Sequence, residues 1–247
     1  MIKYDLHTHS VFSDGKNSPA EMVAYAEGKG VEILGISDHE YAPMQTSYCI
    51  SKENTINYIN EINELKSKTK LKLYLGTERD YFSPETDFRY DYVIGSVHSV
   101  YKNGEYIDVD FSEQNMIDNV NRLYNGNFLD YVKDYYALVK DVVNKTNCDI
   151  VGHFDLVCKF NEGNKHFDET SEEYKKIALD AAKAIADSGK IVEINTGAIS
   201  RGYKTKPYPA RFLIDYFKSR NVKMILSSDS HSCENLLYKF DEFSDLI

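Results

Sequence analysis

Short apolar runs alternate with longer amphipathic stretches along this chain of 247 residues. The short runs read as strands buried on both faces; the stretches with apolar residues every three or four positions read as helices. Residues 3–6 predict a first strand. Ser18-Pro19-Ala20-Glu21 combines a capping serine, proline at the first helical position and a glutamate at the third. It predicts a helix that runs to Gly28 and Gly30. Residues 32–37 predict a second strand, and Ser51 opens a helix with Ile56, Ile59, Ile62 and Leu65 at three-residue spacing. Strands three and four are predicted at 72–75 and 92–97. Residues 112–145 read as polar and helical, broken at Gly126. A strand at 149–152 follows, then a second capping box at Thr170 and Glu173, opening a helix through Ala186 that stops at Gly189. Strands at 191–194 and 223–226 flank a helix over 209–219, and a short helix closes the chain. With no linker or internal repeat, this pattern predicts one α/β domain over residues 1–247. Its expected architecture is a parallel TIM-like barrel of seven strand–helix units, one fewer than usual.

Charge narrows the partners. Asp and Glu outnumber Lys and Arg by 39 to 29, for a formal charge of -10. That balance argues against broad nucleic-acid binding, which needs a basic surface. Any site for an anionic substrate must supply its own positive charge. Cys49, Cys148, Cys158 and Cys233 form no CxxC pair, so a reducing cytoplasm is expected rather than a disulfide framework. The start MIKYDLHTHS does not read as a signal peptide, and no apolar run is long enough to span a membrane.

The ionisable residues cluster at predicted strand ends. Strand one leads into Asp5-Leu6-His7-Thr8-His9 and then Asp14; strand two into Asp38-His39-Glu40; strand three into Glu78-Arg79-Asp80. Strand four leads into His98, strand five into His153-Phe154-Asp155, strand six into Glu193-Ile194-Asn195, and strand seven into Asp229-Ser230-His231. Six of the seven histidines therefore follow strand ends, and in a barrel those ends share one face. His7 and His9 are two apart on an extended segment and point the same way; Asp229 and His231 repeat the spacing. If strand seven lies beside strand one, closure brings the two pairs together. Imidazoles and carboxylates converging on a rigid rim are metal-ligand logic. Asp5, Asp38 and Asp155 are expected mainly to orient neighbouring imidazoles. His166 is expected to be a solvated loop residue.

The motifs HTHS with a following SDG, then SDH, a lone Glu after strand three, SVH, GH and SDSH resemble the PHP (polymerase and histidinol phosphatase) family from residue 7 to residue 231. Within it, GTERDY, DYVIGSVH, GHFDLVCKF and EINTG resemble the bacterial histidinol-phosphate phosphatases. The resemblance implies a distorted seven-stranded barrel and three metal positions. His7, His9, Glu78 and Asp229 would hold the first. Glu78 would bridge to a second, completed by His98 and His153. Asp14, His39 and His231 would hold the third.

Two or three divalent ions would neutralise a phosphate dianion and generate a bridging hydroxide to attack it. A nitrogen and oxygen donor set without Cys suits Zn, Mn or Fe better than Mg or Ca. Arg201 is the expected phosphate clamp, because guanidinium binds phosphate through two donors; Lys204 and Lys206 are weaker candidates. Tyr101 and Glu105 are expected to wall a small substrate pocket. The expected activity is hydrolysis of a small phosphate monoester, L-histidinol phosphate above others. Action on nucleotides, nucleic-acid ends or protein phosphotyrosine is an alternative, and a non-catalytic metal-binding domain is one of another class. The sequence sets no oligomeric state.

Overall fold

The structure is a computed structural model that describes residues 2–247. In chain order, β1 (Tyr4–Asp5), α1 (Pro19–Gly28), β2 (Ile33–Ile36), α2 (Lys52–Lys66), β3 (Lys72–Asp80) and β4 (Tyr92–Ser96) come first. A hairpin of β5 (Ser99–Lys102) and β6 (Glu105–Asp108) follows, then α3 (Glu113–Tyr124) and α4 (Phe128–Thr146). The remainder is β7 (Ile150–Val151), α5 (Glu172–Ser188), β8 (Ile191–Asn195), α6 (Gly197–Ser200), α7 (Arg211–Ser219), β9 (Met224–Ser227) and α8 (Phe240–Phe243).

Seven strands pair in parallel in the order β1-β2-β3-β4-β7-β8-β9. The two edges meet just past the strand ends. Thr8 bridges Ser230 in parallel, and the His9 amide donates to the Ser230 carbonyl at 2.8 Å. The sheet thereby curls into the nearly closed barrel that the strand count predicts.

Several local expectations hold and several move. Ser18 accepts from the Glu21 amide while the Glu21 carboxylate accepts from the Ser18 amide, so the first capping box is complete. Asn125 and Gly126, both at positive φ, end α3, and Asn127 caps α4. The second capping box is displaced: Ser171 caps α5 by accepting from the Tyr174 amide at 3.2 Å, and the Thr170 hydroxyl donates to Asp168 instead. Helix α7 starts at Arg211 rather than at residue 209. Tyr208 pairs with Asn195, and the Ala210 amide donates to Asp155 at 2.7 Å, which keeps the approach extended. The β5–β6 hairpin adds a strand pair to the predicted set: Asn103 and Gly104, both at positive φ, form its two-residue turn.

The most consequential difference is β3, which continues to Asp80 instead of ending near Leu75. Its first half pairs with β2 and its second half with β4, where Glu78 stands opposite Ile94. Gly76, between the halves, lets the Tyr92 ring approach, since a Cβ there would overlap the ring. The Tyr92 hydroxyl donates to the Leu6 carbonyl across the barrel. With Ile94, Ile150 and Ile225, Tyr92 fills the barrel interior with apolar side chains. Separate apolar clusters lie between the strands and the surrounding helices. The barrel axis is therefore a packed floor, and polar groups gather only at the ends where the strands point.

Candidate metal centre

Strand pairing fixes the centre of the site. Glu78 is 1 % exposed and projects from β3, its two carboxylate oxygens facing different imidazoles. Oε1 lies 2.9 Å from His153 Nε2 and 3.3 Å from His98 Nε2, and accepts from the Ser96 hydroxyl at 2.6 Å. Oε2 lies 2.9 Å from His39 Nδ1, 3.3 Å from His7 Nε2 and 3.5 Å from His9 Nε2. Asp229 enters from the opposite side, with Oδ1 at 3.3 Å from His9 Nε2 and 3.8 Å from His7 Nε2. Its backbone is left-handed (φ +50°), a conformation that Asp tolerates better than most residues. Gly197 makes room for it: a Cβ there would come within 2.8 Å of the Asp229 carboxylate.

All nine predicted ligands converge. Ligand atoms of His7, His9 and Asp229 lie within 4.8 Å of one another, as do those of His39, Glu78 and His98. A third group joins His9, Asp14, His39 and His231, where Asp14 Oδ2 is 3.2 Å from His231 Nε2. His9 thus belongs to two groups, its ring stacked at 4.3 Å against both His39 and His231.

Carboxylates set which ring nitrogen faces the centre. Glu193 accepts from His7 Nδ1 at 2.8 Å, which turns His7 Nε2 toward the centre. Asp80 accepts from His98 Nδ1 at 3.2 Å and from the His98 amide at 2.9 Å, with the same result. The three aspartates expected in this role do other work. Asp5 accepts from the Ser228 and Leu237 amides, Asp38 from Ser10 and Ser13, and Asp155 from Ala210. They anchor the loops that carry the candidate ligands rather than the imidazoles. Glu193 carries a signal in the sequence, as the charged residue inside the run IVEIN. Asp80 carries another, two residues after Glu78 on one extended strand.

The donor set is short of positive charge. Burial raises the Glu78 carboxyl, but His39, His7 and His98 outweigh it and hold it well below the usual carboxylate range. Burial likewise opposes ionisation of Asp229, and Arg201 and His7 overcome it, leaving it well below normal. Burial lowers the His7 imidazole, yet Glu193, Glu78 and Asp229 hold it well above its ordinary value. His9 is pushed down to about 3, by burial and by His231 and His39, and so is neutral. His7 Nε2, both His9 ring nitrogens and Glu78 Oε2 are buried without a hydrogen-bond partner. Buried polar atoms left unpaired are costly. Bound cations would satisfy these atoms and the carboxylates together, so the residues fit divalent metal ions.

A cavity of about 310 Å³ opens above the cluster, lined by Asp14, His39, Glu78, His98, His153, Asp229 and His231. Arg201 reaches it, donating to Asp229 Oδ2 at 2.9 Å and lying 3.0 Å from His231 Nδ1, while its Nε has no partner. Lys159, which sequence reasoning missed, also lines the cavity and donates to the Asp110 carbonyl at 2.9 Å. Lys204 and Lys206 do not line it; they border a separate groove, where Lys204 faces Glu162 and Glu169. Tyr101 and Glu105 are not part of the wall either. Tyr101 packs on Tyr106 in the hairpin, and Glu105 pairs with Arg122. Tyr48, Asp108, Asp110 and Phe111 form the wall instead. His166 is not solvated: Glu113 lies 2.6 Å from its Nε2 and Phe128 stacks on it, away from the cavity.

The PHP domain family matches residues 5–197. The chain belongs to the PHP family. Asp229 and His231 lie beyond the matched stretch, and barrel closure returns them to the PHP cluster. A Schizosaccharomyces pombe relative named "Probable histidinol-phosphatase" is 31% identical over 189 residues, covering 70% of this chain and 59% of that protein. The chain thus spans less than two thirds of that relative's length. A Lactococcus lactis histidinol-phosphatase is 28% identical over 245 residues, covering 94% of this chain and 85% of the relative. A solved structure of L. lactis histidinol phosphate phosphatase, complexed with zinc, L-histidinol and phosphate, superposes with a TM-score of 0.67 at 22% identity. It covers 99% of this chain and 92% of that one, and shares the PHP barrel. Among the described residues, no helix is long and apolar enough to cross a membrane.

Proposed function

We propose that this PHP protein is a phosphoric monoester hydrolase that uses two or three divalent metal ions, and that its substrate is L-histidinol phosphate. The observation that carries the hydrolase reading is Glu78, whose two oxygens are shared between His98 and His153 on one side and His7, His9 and His39 on the other. A carboxylate so divided is built to bridge two cations. His7, His9 and Asp229 would complete one position, His98 and His153 the next, and Asp14, His39 and His231 the third. The ions, zinc, manganese or iron, would supply an activated water and neutralise phosphate oxygens. Around them, Glu193 and Asp80 keep His7 and His98 in the tautomer that presents Nε2. Ser96 holds Glu78 in place. Arg201, with its free Nε, and Lys159 bring the positive charge that a phosphate dianion needs in a protein of charge -10.

The substrate assignment draws on the relatives named for histidinol phosphate and on the L. lactis complex. The cavity supports it, since about 310 Å³ suits a small monoester and not a polymer. Residues 1–247 act together, because Asp229 and His231 supply ligands from the far end of the chain. Four free thiols suit a cytoplasmic setting.

The purified protein is expected to hydrolyse L-histidinol phosphate with kcat/KM at least about 100-fold above p-nitrophenyl phosphate or nucleotides. A higher value for a nucleotide or an oligonucleotide overturns the substrate assignment. Absence of phosphatase activity toward every ester, in protein loaded with metal, overturns the hydrolase reading.

A further inference from the structure

One wall of the cavity has no part in holding metal or phosphate, and its hydrogen bonds run in a fixed direction. The hairpin pairs Ser99 with Asp108, and the buried Ser99 hydroxyl donates to Asp108 Oδ1 at 2.9 Å. That hydroxyl has one proton, so toward Gln45 it can only accept. Gln45 Nε2 donates to it at 3.0 Å. The chain of bonds therefore decides the orientation of the Gln45 amide. Its Oε1 is left without a partner, although Gln45 lines the cavity and is only 2% exposed.

Asp108 has a related deficit. Neighbouring Asp110 is 3.2 Å from Lys159 Nζ, so its charge is offset. Among the described residues, no Lys, Arg or His lies within ion-pair distance of Asp108. The wall thus holds, beside the cavity, a buried unsatisfied amide carbonyl and a carboxylate without an ion-pair partner, both acceptors. Tyr48 also lines the cavity, its ring 4.9 Å from that of His39, and Phe111 stands exposed beside Asp110.

Two acceptors, one of them charged, call for a donor that carries positive charge. We infer that Gln45 and Asp108 recognise a protonated primary amine on the organic half of the ester, and so select the phosphomonoesters that this PHP site hydrolyses. The inference rests on the hydrolase reading above and adds the residues that choose the substrate. An ammonium group satisfies Gln45 Oε1 and neutralises Asp108 at once. An ester without the amine leaves Gln45 Oε1 buried without a partner and the half-buried Asp108 charge without a counter-ion, and that is how polar sites reject analogues lacking a donor.

The test compares L-histidinol phosphate with its deamino analogue, 3-(imidazol-4-yl)propyl phosphate, as a ratio of kcat/KM values in each protein. The wild type is expected to prefer the amine-bearing ester. Gln45→Met and Asp108→Asn are each expected to reduce that ratio by roughly 10- to 100-fold with metal content retained. Gln45→Glu, which keeps an acceptor oxygen, retains the preference. Equal use of both esters by the wild type overturns the inference, as does an unchanged ratio in both Gln45→Met and Asp108→Asn. If the wild type turns over neither ester faster than p-nitrophenyl phosphate, the histidinol-phosphate assignment fails by itself. The same ratio, measured with 2-aminoethyl phosphate against ethyl phosphate, then decides the inference in the same way.

Discussion

The nine predicted metal ligands fall into two settings that differ in what holds them. His7, His9, Glu78, His98 and His153 are buried at the ends of paired strands. Glu193 fixes the His7 ring, Asp80 the His98 ring and Ser96 the Glu78 carboxylate, while packing alone orients the His9 ring. Asp14 and His231 belong to loops and remain 34% and 22% exposed. His39 and Asp229 join the settings, each within reach of ligands from both. Burial, with carboxylates behind His7 and His98, gives the inner residues one geometry before any ion arrives, which favours tight binding. The outer pair can adjust, and water can compete for its ion. The same residue types thus predict an inner centre that is hard to empty and an outer position that exchanges.

The sharpest way to break this comparison is at the shared carboxylate. Glu78→Gln keeps shape and volume but removes the charge and one of the two usable anionic oxygens. Loss of at least about 1,000-fold in kcat is expected, with the chain still folded by circular dichroism. Near wild-type turnover under matched metal conditions would show that the inner centre does not depend on a bridge.

A smaller effect is expected at the outer position. Asp14→Asn weakens one ligand group that shares only His9 and His39 with the rest. Elemental analysis should show loss of roughly one metal equivalent, and kcat should fall roughly 10- to 100-fold, less than for Glu78→Gln. Mild chelation of the wild type should remove the same equivalent first. If Asp14→Asn lost all of its metal, the two settings would be one cooperative cluster.

The inner setting was more legible in sequence than its supports. Barrel architecture follows from repeated strand–helix units, and a barrel sends every strand end to one face, so His7, His98, His153 and Asp229 could be placed without coordinates. What escaped depends on partners distant in sequence. Glu193 and His7 are 186 residues apart, and no local pattern states that they touch. Asp5, Asp38 and Asp155 sit next to ligands in sequence, but the turn after each strand aims them at loop amides and hydroxyls. The cavity wall lies on a hairpin that Asn103-Gly104 marks, a two-residue turn with both residues at positive φ; what the sequence does not state is that Ser99 ties Asp108 to Gln45, 54 residues from Ser99. Tyr101 and Glu105 then looked like wall residues when Gln45 and Asp108 were. Arg201 was legible as a candidate, but its pairing with Asp229 needed the left-handed turn at Asp229 and the missing Cβ at Gly197.

The seventh histidine gives the comparison its control, and the smallest expected effect. His166 shares the chemistry of the ligands: an imidazole nitrogen 2.6 Å from a carboxylate, that of Glu113. It also has Lys165 beside the same carboxylate at 2.5 Å, an apolar neighbour in Phe128, and Asn161 accepting from its amide. Every contact is therefore structural, and among the described residues no second carboxylate lies within ion-pair distance of His166. If a carboxylate near an imidazole were enough to make a functional residue, His166→Ala would resemble His153→Ala. The structure predicts otherwise: kcat/KM within about twofold of wild type and unchanged metal content for His166→Ala. The lost ion pair and stacking should cost about 1 kcal/mol of stability, read as a small fall in melting temperature. His153→Ala, by contrast, removes a ring that faces Glu78 directly and should lower both metal content and turnover. A loss of turnover at His166 comparable to that at His153 would mean that its loop reaches the substrate during the reaction, and that position at a strand end is not what separates working histidines from structural ones in this barrel.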